Sequence, residues 1–407
     1  MRDRRLKALV LTNEYPPNVY GGAGVHVEYL ARELANRIDV DVRAFGDQRH
    51  SSEHLRVRGA LPPFALGGVP EHLRPVLGAF GRDLVWLAEP VDADLVHCHT
   101  WYAYLAGIVT RLAYGIPLVV TTHSLEPLRP WKREQLGGGY DASAWVERTA
   151  IEMADAVVAV SAETRDDVLR LFDVSPDVVH VIHNGIDTDE YRPDPSTDVL
   201  RRLGVAPEVP YVLFVGRITR QKGIVHLVRA IRYLDPDVQV VLAAGAPDTP
   251  EIAAEMTAAV DAARAAHPRI VWIPEMLDKR SVRQLYSHAA VFCCPSVYEP
   301  FGIINLEAMA CETAVVASAV GGIPEVVVDG ETGVLVPFGR RTGDRADFEP
   351  ADPESFERGL ADAIASLLRD ERRRTAMGRA GRRRAIETFS WSAIAERTVE
   401  LYRSLVD

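Results

Sequence analysis

YVLFVGRITRQKG, residues 211–223, begins as a strand and ends as a loop with the makings of a binding site. Its first residues, Tyr211-Val-Leu-Phe-Val215, are all apolar. A strand with no polar face must be covered on both sides, which points to a parallel sheet between layers of helix. Directly after it stand Gly216, Arg217, Lys222 and Gly223. In open parallel sheets, ligands bind outside the carboxyl ends of the strands. Two cations at that end read as a receptor for a diphosphate, Arg217 as a fork and Lys222 as a point charge. The competing reading is solvated surface charge.

The same pattern repeats outward in both directions. Short apolar runs recur at 7–12, 40–44, 94–97, 117–121, 156–160 and 178–182, and again at 211–215, 239–243, 270–273, 291–294, 314–317 and 334–336. Each is followed by a helical pattern. Two successive sets of about six predict an α/β chain with two Rossmann-like, doubly wound domains facing across a cleft. Two prolines within 191–198 mark the expected seam. The predicted domains are 1–195 and 196–389, followed by an amphipathic helix over 390–407. Residues 339–354 read as a polar surface loop.

Composition narrows the function. The chain has 407 residues, 47% of them apolar, and a formal net charge of -11. An acidic chain is a poor general ligand for nucleic acid or anionic membranes, which reward basic surface. The arginines at 372–374 and 382–384 therefore read as a solvated helix face. Cys98, Cys293, Cys294 and Cys311 lie in apolar contexts without disulfide or zinc spacing, as expected of thiols in a reducing cytoplasm. No run approaches the roughly 18 apolar residues of a membrane span. A cytoplasmic protein is the expectation, and a homodimer is compatible with it.

The other strand ends supply candidates. Gly21 and Gly22 open a helix after the first run, where backbone N–H groups could approach a phosphate or sugar; a tight turn is the alternative. The stretch is neither GxGxxG nor a Walker loop. His97 and His99 point the same way in a strand. No acidic or cysteine third ligand lies nearby, so His99 beside Trp101 reads better as part of a sugar site, and no metal is expected. His123 ends the next strand, as a partner for a sugar hydroxyl or as a structural histidine. Residues 127–140 hold Arg129, Lys132, Arg133, three successive glycines and Tyr140. They suit an anion-binding loop or a solvated one. EPFGIINLE, residues 299–307, carries a glutamate at each end of a strand-to-helix turn. The N–H groups of Gly302, Ile303 and Ile304 would face a ligand there, and Glu307 could accept a pair of vicinal hydroxyls.

GR-x4-KG at 216–223, E-x7-E at 299–307 and EAMACETAVVASAVGGIPEVV together resemble the retaining GT-B glycosyltransferases of the glycogen synthase and sucrose synthase-like family. EYPPNVYGGAGVHV, HTWYAYLAG and THSLEPLRPWKREQLGGGY are similar to the actinobacterial glycogen synthase group. That group includes enzymes joining ADP-glucose to glucose 1-phosphate to give α-maltose 1-phosphate. The resemblance implies that Arg217 and Lys222 hold the donor diphosphate and Glu307 the ribose. It implies that Glu299 with Gly302 and Ile303 holds the transferred glucose, and His123 its 6-hydroxyl. Gly21 and Gly22 would approach the phosphates, and the helix near Trp391 would cross back onto the first domain. Chain-extending bacterial glycogen synthases place a Lys before the Gly-Gly, where this chain has Val19-Tyr20. Arg129, Lys132 and Arg133 are then left to hold an acceptor phosphate, with His99, Trp101 and Tyr140 completing the acceptor side. The expected partners are a nucleotide sugar and a phosphorylated sugar or glucan, with no cofactor. A glycogen synthase, a sugar-nucleotide epimerase of similar architecture and a non-catalytic carbohydrate binder are the competing functions.

Overall fold

A computed structural model describes residues 4–19, 21–339 and 349–406. Most of the expected polar loop at 339–354, and Tyr20, lie outside them. The chain divides into two compact units, Met1–Gly185 with Trp391–Asp407, and Ile186–Ser390. The boundary falls upstream of the expected seam, so the prolines at 193 and 195 lie inside the second unit. The last helix, Trp391–Val406, belongs to the first.

The first unit holds β1 (Lys7–Thr12), β2 (Asp39–Phe45), β3 (Arg49–Ser51), β4 (Leu55–Ala60), β5 (Leu95–His99), β6 (Leu118–Thr122), β7 (Ala156–Ala159) and β8 (Val179–Val181). They form one sheet in the order β3-β4-β2-β1-β5-β6-β7-β8. All ladders are parallel except β3 with β4. The sequence reading missed β3 and β4. β4 alternates, with Leu55 and Val57 buried and Arg56 exposed, as a strand near a sheet edge does.

The second unit holds β9 (Tyr211–Arg217), β10 (Gln239–Gly245), β11 (Ile270–Ile273), β12 (Val291–Cys294), β13 (Ala314–Ser318) and β14 (Gly333–Val336). Their order is β11-β10-β9-β12-β13-β14, all parallel. Strand order reverses between β9 and β12 here, and between β1 and β5 in the first unit. Those reversal points are where such sheets leave a crevice for ligands.

Packing follows the sequence pattern. β6 and β10 are buried at every residue, as unbroken apolar strands must be. The helix Gly22–Ala35 turns Val27, Leu30, Ala31 and Leu34 to the core, a 3.6-residue spacing. The last helix covers it, with Trp391 stacked on Tyr29 at 5.8 Å between ring centroids. All four cysteines are buried free thiols. Three of the arginines expected on a solvated face are structural. Arg374 caps the helix Pro353–Arg369 by donating to the carbonyls of Leu367 and Leu368, Arg382 donates to those of Ala310 and Tyr191, and Arg384 to those of Glu325 and Val326. A guanidinium has five donors and suits such orphan carbonyls. No helix among the described residues is long and apolar enough to cross a membrane.

Candidate active site

In the second unit, the ends of β9 and β12 converge. Lys222 Nζ donates to Glu299 Oε2 at 2.7 Å. Ser296 Oγ donates to the same oxygen at 3.1 Å, and Ser318 Oγ holds the Ser296 carbonyl. The two loops are pinned together by the Val297 N–H on the Gln221 carbonyl at 3.0 Å. Gly223 makes this approach feasible: its φ is +59°, and a Cβ there would collide with the Pro295 carbonyl. Burial would lower the Lys222 ammonium, but the Glu299 carboxylate beside it outweighs that, and its pKa stands above the ordinary lysine value. The charge of Arg217 works against it, so the two cations share one field. Arg217 itself lies 3.2 Å from Asp248 Oδ1, a partner that no local sequence pattern marks.

Gly302, at φ +101°, is the N-cap of the helix Ile303–Ala310. Glu307 lies inside that helix, buried, and accepts from Tyr286 OH at 3.0 Å and from Tyr191. Burial pushes its carboxyl up to about 7, against the two tyrosine hydrogen bonds. Ile303 is buried and Ile304 partly so.

In the first unit four imidazoles gather where β5 and β6 end. His99 Nδ1 and His123 Nε2 are 3.0 Å apart. His97 is held between Tyr402 OH and Thr121 Oγ1. His26 Nδ1 meets Asn184 Oδ1 at 2.6 Å, and its ring sits edge-on to His123, centroids 4.7 Å apart. Burial lowers all four: His26 to about 4, His97 to about 3, His99 and His123 well below the usual histidine range. The cluster is therefore neutral at pH 7. Neither His26 nor Asn184 is marked by the sequence around it, because partners 158 positions apart leave no local signal.

Several expected site residues sit differently. His99 is wholly buried, and Trp101 is buried and stacked on Tyr102. Neither ring is exposed to solvent. Tyr140 is buried too, donating to the Glu126 carbonyl at 2.6 Å. Arg129 and Arg133 of the loop take different partners. Arg129 bonds Ser124 Oγ at 2.9 Å, next to His123, and lies 3.5 Å from buried Glu126. Arg133 pairs with exposed Asp141 at 2.7 Å. Lys132 begins a short helix, Lys132–Leu136. Gly21 and Gly22 are exposed at the helix start, with the Gly21 N–H taken by Glu14 Oε2 at 2.9 Å.

One nitrogen each from His26, His99 and His123 lie within 4.8 Å of one another, a grouping able to ligate a metal. His99 Nδ1 and His123 Nε2 are, however, spent on each other.

Residues 20–190 match the model of Glycosyltransferase Family 4, and 197–344 that of Glycosyl transferases group 1. The chain is 51% identical over 404 residues to the alpha-maltose-1-phosphate synthase of Mycolicibacterium smegmatis, covering 98% of this chain and 100% of that one. This chain belongs to the GT-B glycosyltransferases. The alpha-maltose-1-phosphate synthase of Mycobacterium tuberculosis is 48% identical over the same shares. Sucrose-phosphate synthase from Thermosynechococcus elongatus superposes with a TM-score of 0.81 at 27% identity, over 98% of this chain and 99% of that one. The two doubly wound units are thus those of a GT-B hexosyltransferase, and the strand-end residues above are its candidate machinery.

Proposed function

We propose that this glycosyltransferase moves glucose from ADP-glucose to glucose 1-phosphate, with retention, making α-maltose 1-phosphate for α-glucan synthesis. The observation that carries the reading is the 51% identity to the Mycolicibacterium enzyme across the whole length of both chains.

The geometry supplies a mechanism for it. Lys222 rests on Glu299 and Arg217 near Asp248. An incoming diphosphate competes for both cations. Glu299, released from Lys222, accepts hydroxyls of the donor glucose, while Glu307 accepts those of the ribose. In the first unit, His123 holds a sugar hydroxyl. The bond from C1 to the diphosphate oxygen then breaks, and its electron pair leaves with ADP, whose charge Arg217 and Lys222 stabilise. The acceptor's hydroxyl oxygen bonds C1 on the same face and passes its proton to the departing phosphate oxygen. Two cations do the neutralising, so this route calls for no metal. Arg129, tied to the residue after His123, is the loop cation best placed for the acceptor phosphate.

A second reading, extension of a glucan primer, differs only in the acceptor. The test offers labelled ADP-glucose with glucose 1-phosphate or with glycogen. A phosphorylated disaccharide from the first alone supports the reading. Preferred growth of glycogen overturns it, and turnover without any acceptor would indicate an epimerase instead.

A further inference from the structure

The four imidazoles of the first unit carry a proton pattern that their partners dictate. Asn184 Oδ1 can only accept, so His26 carries its proton on Nδ1. Its Nε2, buried without a partner, is then a bare lone pair. His99 Nε2 is also buried without a partner. A buried N–H left unpaired is rarer and costlier than an unused lone pair. The His99 proton therefore sits on Nδ1, the one ring nitrogen with a neighbour, and that neighbour is His123 Nε2. His123 must accept there, which leaves its own proton on Nδ1.

His99 is also held in place more firmly than a core histidine needs. Its ring lies on His97, centroids 4.2 Å apart, and His97 is fixed at both nitrogens. The next residue, Thr100, has φ +66° and ψ 155°, a strained backbone for a β-branched side chain, and is tied to Asn13 Oδ1 at 2.8 Å. Such strain persists where the surroundings over-determine it, and it clusters at functional sites.

We propose that His99 is a positioning residue: by donating its Nδ1–H to His123 Nε2 it fixes the His123 tautomer, so that His123 offers substrate an Nδ1–H donor and no acceptor. This rests on the reading of His123 as a residue that holds a sugar hydroxyl. A hydroxyl so held is an acceptor, and its own proton is directed away from His123.

The test is long-range 15N–1H correlation of histidine-labelled, full-length protein. His123 should be protonated at Nδ1 in the unmodified enzyme. His99→Phe keeps the ring's bulk but deletes the donor, and His123 should become a mixture of tautomers. Its kcat should fall roughly tenfold or more with donor KM changed less than threefold. His99→Asn places an amide N–H near the lost Nδ1–H and should recover both readouts in large part. The spectrum of the unmodified enzyme decides the matter even if a variant misfolds: His123 protonated at Nε2 overturns the proposal. An unchanged His123 tautomer in folded His99→Phe overturns it too. A tautomer that follows His99, in an enzyme that makes no α-maltose 1-phosphate, upholds the positioning role and overturns the proposed function instead.

Discussion

Where β5 and β6 end, the first unit gathers four buried imidazoles, all uncharged at neutral pH. Where β9 and β12 end, the second unit sets a lysine against a glutamate, with an arginine in the same field. Both strand ends lie at or near the point of strand reversal, so topology does not explain the contrast. Chemistry does. Breaking a glycosidic phosphate bond builds negative charge on the leaving diphosphate and positive charge at C1. Cations belong at the first and are harmful at the second. In the proposed function, histidines kept neutral by burial would hold sugar hydroxyls without adding positive charge. The ion pair, by contrast, keeps a cation ready: Lys222 stays charged in a partly buried place because Glu299 answers it, and in the proposed function a diphosphate would take over that role.

The largest effect should come from the charged side. Lys222→Ala should lower kcat/KM for the nucleotide sugar by about 10³-fold, the scale of one preorganised charge at a leaving group. Lys222→Arg should recover only part of that, since a planar fork does not replace a point charge. Steady-state kinetics with varied donor would show it. A loss below tenfold for the alanine variant would mean that the Lys222–Glu299 pair is scaffolding, and the contrast between the two units would collapse.

The next effect belongs to the neutral side and appears as stability. A histidine whose folded pKa is depressed binds fewer protons folded than unfolded. Its contribution is complete above the unfolded value of about 6.5 and is lost as pH falls below it. For His26, with a folded value of about 4, the loss by pH 5 is about 2 kcal/mol. His97, His99 and His123 act in the same direction. Hydrogen exchange between pH 7.5 and 5 should therefore show β5 and β6 losing protection well before β9 and β12. Retained protection of β5 and β6 at pH 5 would show that the cluster takes up protons while folded.

How much of this was legible depended on whether the decisive partner was near in sequence. The parallel sheets were, because strands such as Val240-Val-Leu-Ala243 must be covered on both faces. β4 was not, because its alternation of Leu55, Arg56 and Val57 differs from the unbroken runs that marked the others. Lys222 and Glu299 could be singled out because each lies in the loop after a strand. Their bond could not, since it spans 77 positions. The same holds for Asp248 behind Arg217 and for Asn184 behind His26. Trp101 illustrates the opposite error. An aromatic after a strand end serves a sugar site or a core equally well by sequence, and here it is core.

The smallest effect separates two cations that the sequence grouped together. Arg133 is more than half exposed, as is its partner Asp141, and solvent screens such pairs so that they contribute little. Arg133→Ala should leave melting temperature nearly unchanged and the KM for glucose 1-phosphate within twofold. Arg129 differs in depth and neighbours: it is mostly buried, beside Glu126 and Ser124, with His123 next in the chain. Arg129→Ala should raise that KM roughly five- to tenfold, the loss of one charge-assisted hydrogen bond to a phosphate. It should also cost some stability, because Glu126 is left buried with its ion-pair partner gone. Arg129→Lys separates the two effects, since a point charge answers Glu126 but cannot fork onto a phosphate. Recovered stability with KM still raised would place the acceptor phosphate on the guanidinium. Recovery of both would mean that Arg129 serves only Glu126, and that the phosphate is held by another part of the loop.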